Sequence, residues 1–290
     1  MLGGQELLDA ITSALSCDDN VKSVVLFGSR AREQGMPAAS DDWSDIDLHV
    51  IVGNVATFVA LENLTALCSK PVKLHVIRAA SGGVRKVTLL YEDAEVDLVV
   101  IPCRQMGLAR LGLALGLQEK IAPLRIGLNE MSTIMRGGYR FLKGEKAWGK
   151  FYADVVVKLP GQRLGDAEVR AIADAFLCDY LWVRQKLARG EWIAAQRGLH
   201  VQLADANFRL MHELRLRREQ PTFREARRLE KLLDAGDLNS LQVSARLDPS
   251  ELQQAADKAL TTMKTLLGEL LPAWNPPADY EAMIQRVARA

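Results

Sequence analysis

Two aspartates separated by one apolar residue, in Ser44-Asp45-Ile46-Asp47-Leu48, lead into the run His49-Val50-Ile51-Val52. The run is rich in β-branched residues and reads as a strand over 46–52. Alternate side chains on a strand share a face. Asp45 and Asp47 therefore point one way, while Ile46 and Leu48 point into a core. A second apolar run, Val96-Asp97-Leu98-Val99-Val100-Ile101, carries an acid in its interior. If the two strands are neighbours, three carboxylates converge.

Such convergence is costly on its own. Two like charges about 4 Å apart repel by roughly 4 kcal/mol at an effective dielectric of 20. A divalent cation reverses the sign, and aspartate oxygens suit magnesium. Two such ions about 3.5–4 Å apart can hold the attacking and leaving oxygens of a displacement at phosphorus. The plain alternative makes Asp45 and Asp47 strand-end turn residues and pairs Asp97 with an arginine.

Upstream, Val24-Val25-Leu26-Phe27-Gly28-Ser29-Arg30 is an apolar strand that ends on a glycine. Glycine lets the backbone turn sharply and approach a ligand closely. Successive amides in such a turn form an anion cradle, and the Ser29 hydroxyl can donate to a phosphate oxygen. Arg30 and Arg32 are near enough in sequence to add charge-assisted contacts. No GxxxxGK[ST] loop is present. A Gly-Ser turn alone is ordinary; the acids downstream give it weight.

The order of elements sets the architecture. A helical stripe over 5–16 precedes a strand over 21–28. Strands over 46–52, 72–79, 86–91 and 95–101 follow, with a helix over 55–68 between the first two of these. Ser81-Gly82-Gly83 and Glu92-Asp93 punctuate the last three strands, and the second of these turns suggests a hairpin. After Pro102 helical stripes take over, notably over 166–189, 191–217 and 249–270. Asn275-Pro276-Pro277 reads as a loop before a short last helix. The expectation is an α+β chain: a mixed-sheet catalytic domain over 1–125, then an all-helical domain over 126–290. The segment 119–164 carries mixed signals.

The 290 residues suffice for two domains, and 49% hydrophobic content supports sizeable cores. A net charge of +1 argues against a strongly basic nucleic-acid binder. Cys17, Cys68, Cys103 and Cys178 are scattered without CxxC spacing, so free thiols in a reducing compartment are expected. The start, Met1-Leu2-Gly3-Gly4-Gln5-Glu6, shows no signal peptide pattern. No apolar stretch is long enough for a membrane span. A cytoplasmic protein is the expectation.

With these residues in view, the chain resembles the nucleotidyltransferase superfamily that includes DNA polymerase beta. The matching residues are Phe27-Gly28-Ser29, then Asp45-Ile46-Asp47-Leu48, then Asp97. The 15-residue spacer between Ser29 and Asp45 is longer than that family's usual one, and the extra length falls in Met36 to Trp43. Within the superfamily the whole chain resembles the antibiotic nucleotidyltransferases, most nearly the streptomycin-type aminoglycoside adenylyltransferases. Length, a catalytic domain placed first, and the segment Tyr91-Glu92-Asp93-Ala94-Glu95-Val96-Asp97-Leu98 carry that likeness. The resemblance implies that Ser29 grips the triphosphate of ATP, with Gly28 and Arg30 as the candidate nucleotide-binding residues on either side of it. It implies that Asp45, Asp47 and Asp97 hold two magnesium ions, with Asp97 helping to deprotonate an acceptor hydroxyl. The implied reaction moves AMP from ATP to a small hydroxylated molecule, such as an aminoglycoside or a lincosamide. The alternative is an antitoxin-like or regulatory nucleotidyltransferase that modifies a protein partner. A homodimer is left open.

Glu95 shares the face of Asp97 and is a candidate general base; a solvated strand-start residue is the simpler reading. His49 continues the face of Asp45 and Asp47 and reads as a hydrogen-bonded structural histidine. His75, His200 and His212 read as structural. Tyr139, Trp148, Tyr180, Trp182 and Trp192 read first as core residues, second as pocket lining. Asp179, Asp205 and Glu213 could meet a cationic amino sugar. Residues 209–231 hold eight basic and four acidic side chains, a solvated basic face or a polyanion contact.

Overall fold

The computed structural model describes residues 3–33, 39–92 and 94–289. Asp93, one half of the expected acidic turn, and Met36 to Ala38, part of the long spacer, lie outside them. The chain divides into two units, Met1–Gln162 and Arg163–Ala290.

In the first unit, α1 (Gly3–Cys17) precedes β1 (Val21–Phe27) and β2 (Ile46–Val52). Two short helices, α2 (Val55–Phe58) and α3 (Leu61–Thr65), then lead to β3 (Leu74–Ala79), β4 (Arg85–Leu90) and β5 (Glu95–Pro102). Helices α4 (Cys103–Ala114) and α5 (Ala122–Met135), strand β6 (Tyr139–Lys143) and α6 (Glu145–Lys158) complete it. The strands form one six-stranded mixed sheet in the order β3-β4-β5-β2-β1-β6. Among the described residues, β2 and β5 pair in parallel and the other ladders are antiparallel.

Both faces of the sheet are covered, so its central strands are apolar on both sides. Leu26, Ile46, Leu48, Val50, Leu98 and Val100 pack with Leu7, Ile11 and Leu15 of α1 and with Phe58 and Leu64. Val25, Phe27, Ile51 and Ile101 pack on the other side with Met106, Leu128, Met135, Phe151 and Tyr152. Every residue of β2 is buried.

The unit boundary falls well beyond the expected residue 125. The reason is β6, which pairs antiparallel with β1, and the helices α5 and α6, whose apolar faces cover the sheet. The expected helix over 55–68 is two pieces. Ala60 adopts extended φ/ψ of −61° and 137°, and its carbonyl accepts from the amides of Asn63 and Leu64 to start the second piece.

The second unit is helical throughout: α7 (Asp166–Ala188), α8 (Trp192–Gly198), α9 (Asp205–Arg217), α10 (Ala235–Leu241), α11 (Pro249–Leu270) and α12 (Tyr280–Arg289). A π-helical segment, Leu199–Ala204, joins α8 to α9. Val169, Phe176 and Tyr180 of α7 pack with Leu210 and Leu214 of α9 and Leu252, Met263 and Leu267 of α11. Asp248 caps α11 by accepting from the amides of Ser250 and Glu251. The α+β class and the helical second part are therefore as the sequence led one to expect. No helix among the described residues is long and apolar enough to cross a membrane. The four cysteines are free thiols.

Candidate metal and phosphate site

The parallel ladder between β2 and β5 places Asp47 directly opposite Asp97. Asp45 stands just before β2. One carboxylate oxygen from each of Asp45, Asp47 and Asp97 lies within 4.8 Å of the other two. Asp47 and Asp97 are 9% and 4% exposed, so this charge is held at a buried position. The acids sit where β2 and β5 begin. That is also where the antiparallel β1 ends, and β1 delivers Gly28 and Ser29 to the same rim.

Gly28 has φ 76° and ψ −152°, a region open essentially to glycine alone. A Cβ there would lie 2.4 Å from Asp47 Oδ2. Gly28 thus serves both the turn and the carboxylate beside it. Gly28→Ala is expected to lower stability by about 1–3 kcal/mol through backbone strain. It should also displace the Asp47 carboxylate and weaken Mn²⁺ binding, read together by denaturant melts and calorimetry. The Ser29 Oγ is buried and makes no hydrogen bond among the described residues. A buried hydroxyl left without a partner is expensive, and it stands next to the turn expected to receive phosphate.

Arg30, expected near the triphosphate, holds the chain ahead of β2. Its Nε donates to the carbonyls of Ser44 and Asp45 at 3.1 and 3.0 Å, and its Nη2 to Ser44 O at 2.7 Å. The guanidinium therefore clamps the backbone entering β2 and positions Asp45. The long side chain folds back onto the segment that leads into β2. Arg32 likewise donates to Gly137 O at 2.9 Å. Glu95 is exposed at the start of β5 and is not one of the three converging acids.

His49 is buried below the acids on the same face. Its Nδ1 lies 3.3 Å from Tyr152 Oη, and its ring packs edge-on against Phe27 at 4.7 Å. Burial lowers its pKa to about 4, so the imidazole is neutral at pH 7. It is the structural histidine the sequence suggested.

Sequence reasoning missed two residues here. Thr88, opposite Asp97 on β4, donates to Asp97 Oδ1 at 2.6 Å. Lys86, two residues earlier on the same face, places Nζ 2.6 Å from Asp97 Oδ2. The signal was the β4–β5 hairpin: once its register is known, Thr88 and Lys86 follow. Trp43, two residues before Asp45, is 91% exposed. It stands in a tight turn held by the Ser44 amide to Asp41 O and by Ser44 Oγ to Asp41 Oδ1.

The expected second-unit contacts divide. Glu213 is 2% exposed and is taken up by Arg163, Arg217 and the Leu164 amide, which makes it a structural acid. Asp179 and Asp205 line a cavity of about 180 Å³ with Gln202 and Arg209, and burial raises the pKa of Asp179. Part of the basic run is tied up within the unit: the buried Arg215 donates to Pro221 O, Arg217 to Glu213 and Asp166, and Arg218 pairs with Glu269, while Arg209, Arg227 and Lys231 are exposed. Trp148 and Tyr180 are core residues, whereas Trp182 and Trp192 are partly exposed.

The donor set fits a hard divalent cation. Three carboxylates converge, all donors are oxygen, and one lysine leaves the group with net negative charge. No protein-family model matches the sequence, and no curated protein matches it. Among solved structures, the chain is similar to an aminoglycoside 6-adenyltransferase from Bacillus subtilis. Identity is 15% and the TM-score 0.41, over 100% of this chain and 98% of that one. It is also similar to a nucleotidyltransferase-like protein from Exiguobacterium sibiricum, at 11% identity and a TM-score of 0.34, over 98% of this chain and 87% of that one. The chemistry of the site stands on the geometry given above, not on these likenesses.

Proposed function

We propose that this chain is a magnesium-dependent nucleotidyltransferase that moves AMP from ATP to a hydroxyl of a small molecule. One observation carries the reading: Asp45, Asp47 and Asp97 bring their oxygens within 4.8 Å of one another, at the rim that also carries the buried Ser29 hydroxyl, which makes no hydrogen bond among the described residues. An anion-binding module gains nothing from three carboxylates at its phosphate site, whereas a phosphoryl-type transfer gains charge neutralisation and positioning.

In this reading Asp45 and Asp47 hold both ions and Asp97 the second. Magnesium bound there would neutralise phosphate charge and polarise the reacting phosphorus. Ser29 Oγ donates to a phosphate oxygen of ATP, and Gly28 lets the backbone amides approach it. The acceptor oxygen forms a bond to the α-phosphorus as the bond to pyrophosphate breaks, and the hydroxyl proton passes to a carboxylate, Asp97 in first place. Arg30 holds Asp45 in place through the chain entering β2. Aminoglycosides and lincosamides are the acceptor classes to try first.

The test is pyrophosphate release from ATP with Mg²⁺ against a panel of both antibiotic classes, with mass analysis of the acceptor. Release that depends on an acceptor and on Mg²⁺, with AMP mass added to the acceptor, is the expected outcome. ATP binding without release under any acceptor would leave a binding module. AMP mass appearing on a protein would favour the regulatory alternative.

A further inference from the structure

We propose that Lys86 is the internal counter-ion of the aspartate cluster and competes with divalent metal for Asp97; the inference rests on the metal site proposed above. Asp97 is engaged at both oxygens. Thr88 Oγ1 donates to Oδ1 at 2.6 Å, and the Lys86 ammonium sits on Oδ2 at 2.6 Å. The two partners come from one strand: Thr88 pairs with Asp97 across the β4–β5 ladder, and Lys86 pairs with Val99. Lys86 therefore reaches along the sheet from the Val99 level to the carboxylate.

Thr88 and Lys86 differ in what a metal does to them. A hydroxyl donor is neutral and can stay while the carboxylate takes an ion on its remaining lone pairs. An ammonium cannot share an oxygen with a dication without strong repulsion. Lys86 is able to leave: its side chain is 38% exposed and ends a flexible four-carbon stem. Its charge belongs to the whole cluster. Partial burial works against the ammonium, but the hydrogen bond to Asp97 and the fields of Asp97, Asp47 and Asp45 outweigh that and raise its pKa. Asp97 joins a metal only when Lys86 withdraws.

The experiment is calorimetric titration of the full chain with Mn²⁺ alone, without nucleotide, for wild type, Lys86→Met and Lys86→Arg. Removing a charge-assisted hydrogen bond from the competitor should tighten Mn²⁺ binding roughly 10- to 100-fold in Lys86→Met. Lys86→Arg, which keeps the charge, should stay near the wild-type affinity. Equal or weaker binding in Lys86→Met would overturn the role of Lys86 while leaving the metal site standing. No Mn²⁺ binding in any of the three would overturn both. If Lys86→Met does not fold, the wild-type chain decides: reductive methylation of Lys86 should rise when Mn²⁺ is added, and unchanged labelling refutes the competition.

Discussion

Asp47→Asn should abolish turnover while leaving the fold intact. The substitution is nearly isosteric, and it removes one of three carboxylates whose oxygens lie within 4.8 Å of one another. Mutual repulsion falls, so the melting temperature should hold or rise. Metal-assisted charge stabilisation is worth several kcal/mol at the transition state, so the rate of pyrophosphate release should drop by at least about 10³-fold. Mn²⁺ binding should weaken in parallel. The variant separates chemistry from folding because Asp47 makes no part of either apolar core. Unchanged turnover would refute the metal assignment; a melted protein would mean that the acid has a structural role.

The second large effect concerns the helical unit. Glu213→Ala removes a carboxylate that is 2% exposed and accepts from Arg163 Nε and Nη2 at 3.2 and 3.1 Å, from Arg217 Nε at 3.1 Å, and from the Leu164 amide at 2.9 Å. Two guanidiniums would then face each other without their shared acid. Breaking a buried ion pair by deleting one partner costs about 3–5 kcal/mol. Denaturant melts should show that loss. If Glu213 instead served a cationic acceptor, the acceptor KM would rise with stability untouched, and the structural assignment would fail.

The contrast between Asp47 and Glu213 shows what can be read from a sequence. Asp45, Asp47 and Asp97 were legible because strand alternation fixes faces, and each acid interrupts or precedes an apolar run. Strand β2 came out at Ile46–Val52 as expected, since burial on both faces leaves a nearly continuous apolar stretch. Strand β6 was not legible. Tyr139-Arg140-Phe141-Leu142-Lys143 is a half-exposed edge whose identity depends on pairing with β1 far away in the chain. The domain boundary went with it. The carbonyls that Arg30 holds were not legible, because nearness in sequence says nothing about which ones a long side chain will find. Lys86 and Thr88 escaped because their meaning lies in the hairpin register, a property of two strands together. Glu213 gave no local sign of burial; its partners Arg163 and Arg217 are separated from one another in the sequence and meet only on folding.

The direct pairing of Asp47 with Asp97 on the two central strands has a bearing on ionic radius. Adjacent strands lie about 4.8 Å apart, and covering helices leave a sheet little room to spread. The Cα spacing of these two aspartates is thus a property of the ladder, whereas Asp45 sits on the chain before β2. In the metal site proposed here, a frame of that kind would suit a small ion with strict octahedral demands better than calcium, which asks for more and longer oxygen bonds.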